Sequence, residues 1–315
     1  EDPAVTASVS TRFLATDGSL AAPDVVVWLA SGWSVRDLAA DVVADDALLV
    51  WRGGAGGIWR TSVSETGLLV PPAPLVADLS AGWPALAAVP DGHLLAWYEG
   101  TDTRSCTHNG AGPSRVLLRR LRSDGSVHDS AAPVVLESPL GARTGPRLAS
   151  GSDASIGALW WRASLAAGDP CTLRFGVADP ALSVVADGGV IGPAISGSVV
   201  DAEDAYRMAW RRESAAGLPE LGFAAFDRGA MLLDAPVVCD LPFESFAGDL
   251  GLAAGDHGLV AVVRGGDAAT GPRLFFVRTD LLGRTGDASC RASEVDSSCG
   301  SDPNCEPGAL GVTWE

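Results

Sequence analysis

Read residue by residue, the 315-residue chain encodes an all-β fold. A phrase of four short strands returns at intervals of roughly fifty residues. Its apolar runs are strand-sized and rich in Val, Leu and Ala, and 38 Gly and 20 Pro punctuate them, several in Asp-Gly turns. No stretch keeps up an amphipathic helical period. Four strands per repeat at this spacing mark a β-propeller blade.

The clearest copy runs from Pro84 to Ser138. It holds a short apolar strand, the turn Asp91-Gly92, the strand Leu94-Leu95-Ala96-Trp97, a variable loop, the strand Arg115 to Arg122, the turn Asp124-Gly125, and a last strand ending Pro133-Val134-Val135-Leu136. Aligning the end of the second strand brings six copies into register: Trp51-Arg52, Trp97-Tyr98, Trp161-Arg162, Trp210-Arg211, Val263-Arg264 and Trp314-Glu315. Six blades are therefore expected, as a single domain over residues 1–315. The sixth is split. Ala309 to Glu315 supplies its second strand, Thr11 to Asp17 and Ala21 to Leu29 supply its third and fourth, and residues 1–10 form a tail. A ring closed by strands from both ends leaves no free sheet edge between the first and last blades.

Charge and composition narrow the partners. The 22 basic residues are all Arg and face 39 acidic ones, for a net charge of −17. So acidic a surface repels phosphate backbones, which argues against nucleic acid and anionic membrane as partners. The apolar runs fall short of the roughly 18 residues that span a bilayer, and the start does not read as a signal peptide. The chain is expected to be soluble, with no membrane insertion.

All six cysteines fall on or near one face of the expected propeller. This is the top face, where the second-to-third-strand loops and the blade-to-blade connections emerge. Cys106 and Cys171 sit in such loops of neighbouring blades, and Cys239, Cys290, Cys299 and Cys305 at fourth-strand ends or just beyond. An even number of loop cysteines on one rim points to disulfides, an oxidising compartment and export to the cell surface or medium. Cys106 with Cys171 is the expected pair; the other two pairings stay open. A zinc site lacks both a Cys-x-x-Cys pair and a nearby histidine.

The phrase "LLAW…VLLRRLRSDGSVHDSAAPVVLES" resembles repeats of secreted and cell-surface propellers from GC-rich bacteria, myxobacteria especially. The resemblance covers five of the six copies and is weakest from Asp249 to Ser293, where Val263 replaces the tryptophan. It implies a propeller fold, export, and binding or surface display; it carries no catalytic residues to transfer.

The candidate binding residues follow from the repeat. Arg52, Arg162, Arg211 and Arg264, with Tyr98 at the equivalent place, end the second strands at the top face. Such a ring can grip a carboxylate, sulfate or acidic glycan through bidentate bonds; equally, each Arg can pair with an acidic residue of the next blade. Trp51, Trp97, Trp161, Trp210 and Trp314 share one repeat position and read as core. Trp33 and Trp83 do not; they precede first strands, where they could stack on sugar rings or fill an interblade gap. The four histidines read as turn residues, with His93, His128 and His257 on the bottom face and His108 near the top.

The metal candidate is the acidic segment Ser293 to Gly308. There Asp296, Asp302, Asn304 and Glu306 offer hard oxygen ligands suited to Ca²⁺, or simply a solvated loop held by Cys299 and Cys305. No other cofactor is indicated. Three functions stay in play: a non-enzymatic binding or display module that recognises a protein or glycan through its top face, a structural subunit of a self-assembling surface layer, and a sialidase-like glycosidase. For the last, Tyr98-Glu99 is the one tyrosine beside a glutamate, and the characteristic Asp-box spacing is missing.

Overall fold

Consecutive strands pair with their chain neighbours throughout, as short hairpin connections dictate. The result is five antiparallel four-stranded sheets and one two-stranded sheet. The chain is represented by a computed structural model that describes residues 6–11, 25–31, 36–43, 46–53, 56–100, 114–128, 132–137, 145–162, 171–182, 185–241, 245–255, 258–267, 271–280 and 292–295.

Near the N-terminus, β1 (Thr6–Thr11) and β2 (Val25–Ser31) pair with each other. The first full sheet holds β3 (Arg36–Val43), β4 (Asp46–Arg52), β5 (Ile58–Ser64) and β6 (Gly67–Val76). The second holds β7 (Ala81–Val89), β8 (Gly92–Gly100), β9 (Ser114–Leu121) and β10 (Val134–Glu137). The third holds β11 (Arg147–Ser150), β12 (Ile156–Arg162), β13 (Thr172–Ala178) and β14 (Val185–Pro193). The fourth holds β15 (Ser196–Ala202), β16 (Ala205–Glu213), β17 (Pro219–Phe226) and β18 (Val237–Asp240). The fifth holds β19 (Ser245–Gly255), β20 (Gly258–Asp267), β21 (Gly271–Thr279) and β22 (Ala292–Val295).

The first strands lie innermost and touch in succession: β3 against β7, β7 against β11, β11 against β15, and β15 against β19. The sheets thus fan about a common line, a propeller-like arrangement. The N-terminal strands are displaced from the sequence expectation, at 6–11 and 25–31 rather than 11–17 and 21–29; β2 rests on β5 and β6, the outer half of the first sheet.

The second strands are buried on both faces, which is why they read as unbroken apolar runs rather than alternating ones. Along β8, Leu95 and Trp97 face the first sheet, packing with Leu48 and Val50, while Leu94 and Ala96 face the third, packing with Ile156. Along β16, Tyr206, Met208 and Trp210 pack with Trp161 and Phe175 of the third sheet, and Ala209 packs with Leu252 and Val263 of the fifth. Trp51, Trp97, Trp161 and Trp210 are each no more than 1% exposed, as their shared repeat position predicts. Truncating such a residue to alanine costs about 3–5 kcal/mol.

Four of the five outermost strands of the described four-stranded sheets are blunted, β14 being nine residues long. Three prolines, Pro71, Pro72 and Pro74, lie within β6, and β10, β18 and β22 are only four residues long. Each proline removes a backbone donor that a strange strand could use.

Polar clasps join the sheets at the bottom. His93 is 1% exposed, with Nδ1 3.3 Å from Asp41 Oδ2 of the first sheet; it is a buried seam residue of β8, where the sequence places it in the hairpin turn. Position by position, Tyr206 is its equivalent in the fourth sheet. Its hydroxyl lies 2.7 Å from Ser155 Oγ of the third sheet, and the Arg228 guanidinium stands over its ring at 4.6 Å while bonding Asp201 at 2.5 Å. Tyr206→Phe keeps the ring and removes the bond, so a loss of about 1 kcal/mol is expected in urea denaturation. Adding Ser155→Ala should then cost only its bond to Asp153, so the double variant should lose less than the two single variants together.

Candidate functional site

The top ends of β7 and β8 carry the most developed cluster of candidate residues. Tyr98 pairs with Gly82 across the β7–β8 ladder, and the register then slips between Gly82 and Ala85, so Trp83 sits on a bulge inside β7 rather than ahead of it. Its φ is +47°, a backbone conformation that a bulky side chain adopts only under constraint. The same slip occurs between Arg36 and Ala39 of β3, where Asp37 has φ +52°. Bulges of this kind re-aim a side chain.

Here the bulge turns Trp83 toward its neighbours. Its ring meets the Tyr98 ring edge-on, with centroids 5.5 Å apart and planes at 69°, and the Arg52 guanidinium from the first sheet stands 5.9 Å from its centroid. Two glycines permit the approach. A Cβ on Gly82 would stand 3.1 Å from Arg52 Cδ, and one on Gly145, just ahead of β11, would land on Trp83 itself. Three sheets therefore converge on a single half-buried indole, beside a Tyr98 that is 1% exposed. An aromatic face, a guanidinium and a fixed ring edge can stack on the C–H face of a sugar and bond its hydroxyl or carboxylate oxygens.

The other ring positions stand at the corresponding strand ends. Arg162 is exposed at the end of β12, Arg211 is half-buried in β16 beside an Arg212–Glu220 ion pair of 2.5 Å, and Arg264 is half-buried in β20 with no acceptor for Nε. Arg52 uses an aromatic partner of the next sheet, where the sequence offered a carboxylate. Tyr98 and Glu99 do not form a catalytic pair at this place. Successive strand residues face opposite sides of the sheet: Tyr98 joins the apolar cluster shared with the third sheet, while Glu99 accepts a 2.7 Å bond from Arg115 on the other side.

That Glu99–Arg115 pair was not singled out from sequence, although a cross-strand Glu and Arg at matching offsets is its signal. It raises the pKa of Arg115, Glu99's hydrogen bond being the first cause. Asp78 lies nearby, its carboxyl held below the usual range by the amide and hydroxyl of Ser80.

Cys171 and Cys239 are buried, and among the described residues no cysteine is free. Cys106, Cys290, Cys299, Cys305, Trp33 and the calcium candidates Asp296, Asp302, Asn304 and Glu306 lie outside the described residues. Among the described residues no group of His, Cys, Asp and Glu is placed to hold a metal ion.

No protein-family model matches the chain, and no curated protein matches it. Solved structures do resemble its fold. A protein of unknown function from Dyadobacter fermentans superposes with a TM-score of 0.54 at 11% identity, over 92% of this chain and 86% of that one. Trypanosoma rangeli sialidase, solved as a covalent intermediate with 2,3-difluorosialic acid, gives 0.54 at 10% identity over 86% of this chain and 51% of the sialidase. Another structure of that sialidase gives 0.51 at 12% identity, over 87% and 51%. The chain thus spans about half the length of the sialidase. At such identities the likeness is one of fold, and it agrees with a propeller-like all-β architecture.

Proposed function

We propose that this chain is a non-enzymatic, exported binding module that recognises a carbohydrate through its top face, with Trp83, Arg52 and Tyr98 as the core of the site. The observation that carries this reading is the left-handed backbone of Trp83, held at a point where three sheets meet. A bulky residue in that conformation costs of order 1–3 kcal/mol, and such strain persists where the surroundings fix a side chain for use. Arg162, Arg211 and Arg264 would extend the same face toward acidic glycans.

The proposal includes a six-bladed closed ring. Supporting it, β2 lies against the outer half of the first sheet, where the last strand of a preceding blade belongs. In addition, Leu38 and Val42 on the innermost strand β3 are 46% and 57% exposed, an apolar face suited to the first strand of a sixth blade. Disulfide bracing of the top loops, including Cys106 with Cys171, is part of the same reading.

A glycan array probed with the labelled chain tests the function. Trp83→Ala is expected to weaken binding at least about tenfold, and Arg52→Ala to weaken acidic glycans more than neutral ones. Both variants should melt as cooperatively as the parent. Release of fluorophore from 4-methylumbelliferyl sialoside or other glycosides above background would replace this reading with the glycosidase one; an array without hits would remove the carbohydrate.

A further inference from the structure

The guanidinium fork of Arg52 is open at the top of the seam between the first and second sheets. Arg52 is half-buried at the end of β4 and makes no ion pair among the described residues. Arg264, at the equivalent place in the fifth sheet, buries Nε without an acceptor, whereas Arg52 buries no guanidinium nitrogen in that way. Its donors therefore face solvent. On the next rung of the β7–β8 ladder, Ala81 pairs with Glu99, and Glu99 is already held by Arg115 at 2.7 Å. A positive charge is thus left without a carboxylate beside Trp83.

The surroundings of that charge are flat. A Cβ on Gly82 would stand 3.1 Å from Arg52 Cδ, 3.3 Å from Nε and 3.4 Å from Nη1, so the side chain runs past this bare stretch of β7 at nearly constant height. The Trp83 indole flanks it at 5.9 Å, against 4.6 Å for Arg228 over Tyr206. That wider spacing leaves part of the indole for a second partner. An oxyanion meets the guanidinium along its edge, where parallel N–H groups point outward. A carboxylate fits there in the guanidinium plane, while a tetrahedral sulfate carries oxygens above and below it, toward the backbone and the indole. A net charge of −17 further disfavours polyanions.

We infer that the sugar taken by this site is a single uronic acid residue, an inference that rests on the carbohydrate reading of the top face. Its carboxylate pairs with the fork of Arg52, and the C–H face of its ring lies on the uncovered part of Trp83. The arginine supplies the selectivity, and the indole supplies contact that neutral sugars share.

The probes are the methyl β-glycosides of glucuronic and galacturonic acid, titrated into the full chain with ¹⁵N-labelled tryptophan. Methyl glucoside, its 6-sulfate and cyclohexanecarboxylate are the counterparts. The Trp83 indole resonance is identified by its loss in Trp83→Phe or, should that variant not fold, by proton contacts to the Tyr98 ring. Saturable movement of that resonance is expected with at least one uronoside, with binding at least about fivefold weaker for the glucoside and for the sulfate. Arg52→Lys keeps the charge and loses the fork, so it should bring the uronoside down to the level of the sulfate. Equal affinity for uronoside and glucoside, or for uronoside and sulfate, would overturn the carboxylate assignment and leave the carbohydrate reading standing. Equal affinity for cyclohexanecarboxylate would remove the sugar and that reading with it. No movement of the Trp83 resonance with either uronoside would overturn the assignment outright.

Discussion

Replacing Gly92 with alanine is expected to destabilise the chain by about 3 kcal/mol or more, read as a drop in the urea midpoint at unchanged slope. Gly92 opens β8 with φ +148°, and a Cβ there would fall on the carbonyl oxygen of Leu121 at the end of β9. Gly258 opens β20 in the same way, at φ +129°, and its Cβ would fall on Thr279 at the end of β21. The second and fifth sheets thus place a glycine where the second strand begins beneath the end of the third, whereas β4, β12 and β16 open on Asp46, Ile156 and Ala205. Gly67 separates strain from collision. It too has a positive φ, +130°, but nothing stands within 4 Å of where its Cβ would be. Gly67→Ala should therefore cost only the conformational part, about 1 kcal/mol. Equal losses at Gly67 and Gly92 would show that the close approach to Leu121 contributes nothing.

Removal of residues 1–31 is expected to abolish a single cooperative melting transition. The lost segment carries β1 and β2, and with them the packing against β5 and β6. In the closed-ring reading the blades support one another through neighbour contacts, so a last blade stripped of its outer half would leave both seams beside it exposed, a loss on the order of the whole margin of roughly 5–15 kcal/mol. Calorimetry on the truncated chain would show either a broad, low-enthalpy transition or none. A melting profile identical to the parent's would mean that the N-terminal strands are an appendage, and the closed-ring reading would go with it.

The sheets were legible in the sequence because their second strands are enclosed on both faces. Leu94 to Trp97 and Met208 to Trp210 each form an apolar run with tryptophan at a constant place, and the turns Asp91-Gly92 and Asp124-Gly125 bound the hairpins where the structure has them. The N-terminal pair was displaced because residues 6–11, Thr-Ala-Ser-Val-Ser-Thr, lack an apolar run to mark them; β-propensity without burial is a weak signal. Arg52, Trp83 and Tyr98 were each candidates, but their meeting depends on the β7 bulge. Only a positive φ at Trp83 brings them together, and no residue pattern announces one on a tryptophan. His93 was misread for a related reason. The neighbouring Asp91-Gly92 turn places it in the hairpin loop, whereas it lies in β8 and meets Asp41 of the preceding sheet, the partner that lets it be buried.

The prolines of β6 have a consequence that precedes the folded state. Pro71, Pro72 and Pro74 lack their amide hydrogens from the moment the chain is made, so this segment cannot complete a hydrogen-bonded ladder with a stray strand even before any sheet has closed. A chain built from repeated β-segments is otherwise prone to register errors and to cross-β stacking between copies, since each repeat can mistake another for its own. The protection is therefore written into the covalent chain rather than into its packing. It stays in force during synthesis, during transient opening and in crowded quarters, wherever packing alone would give none.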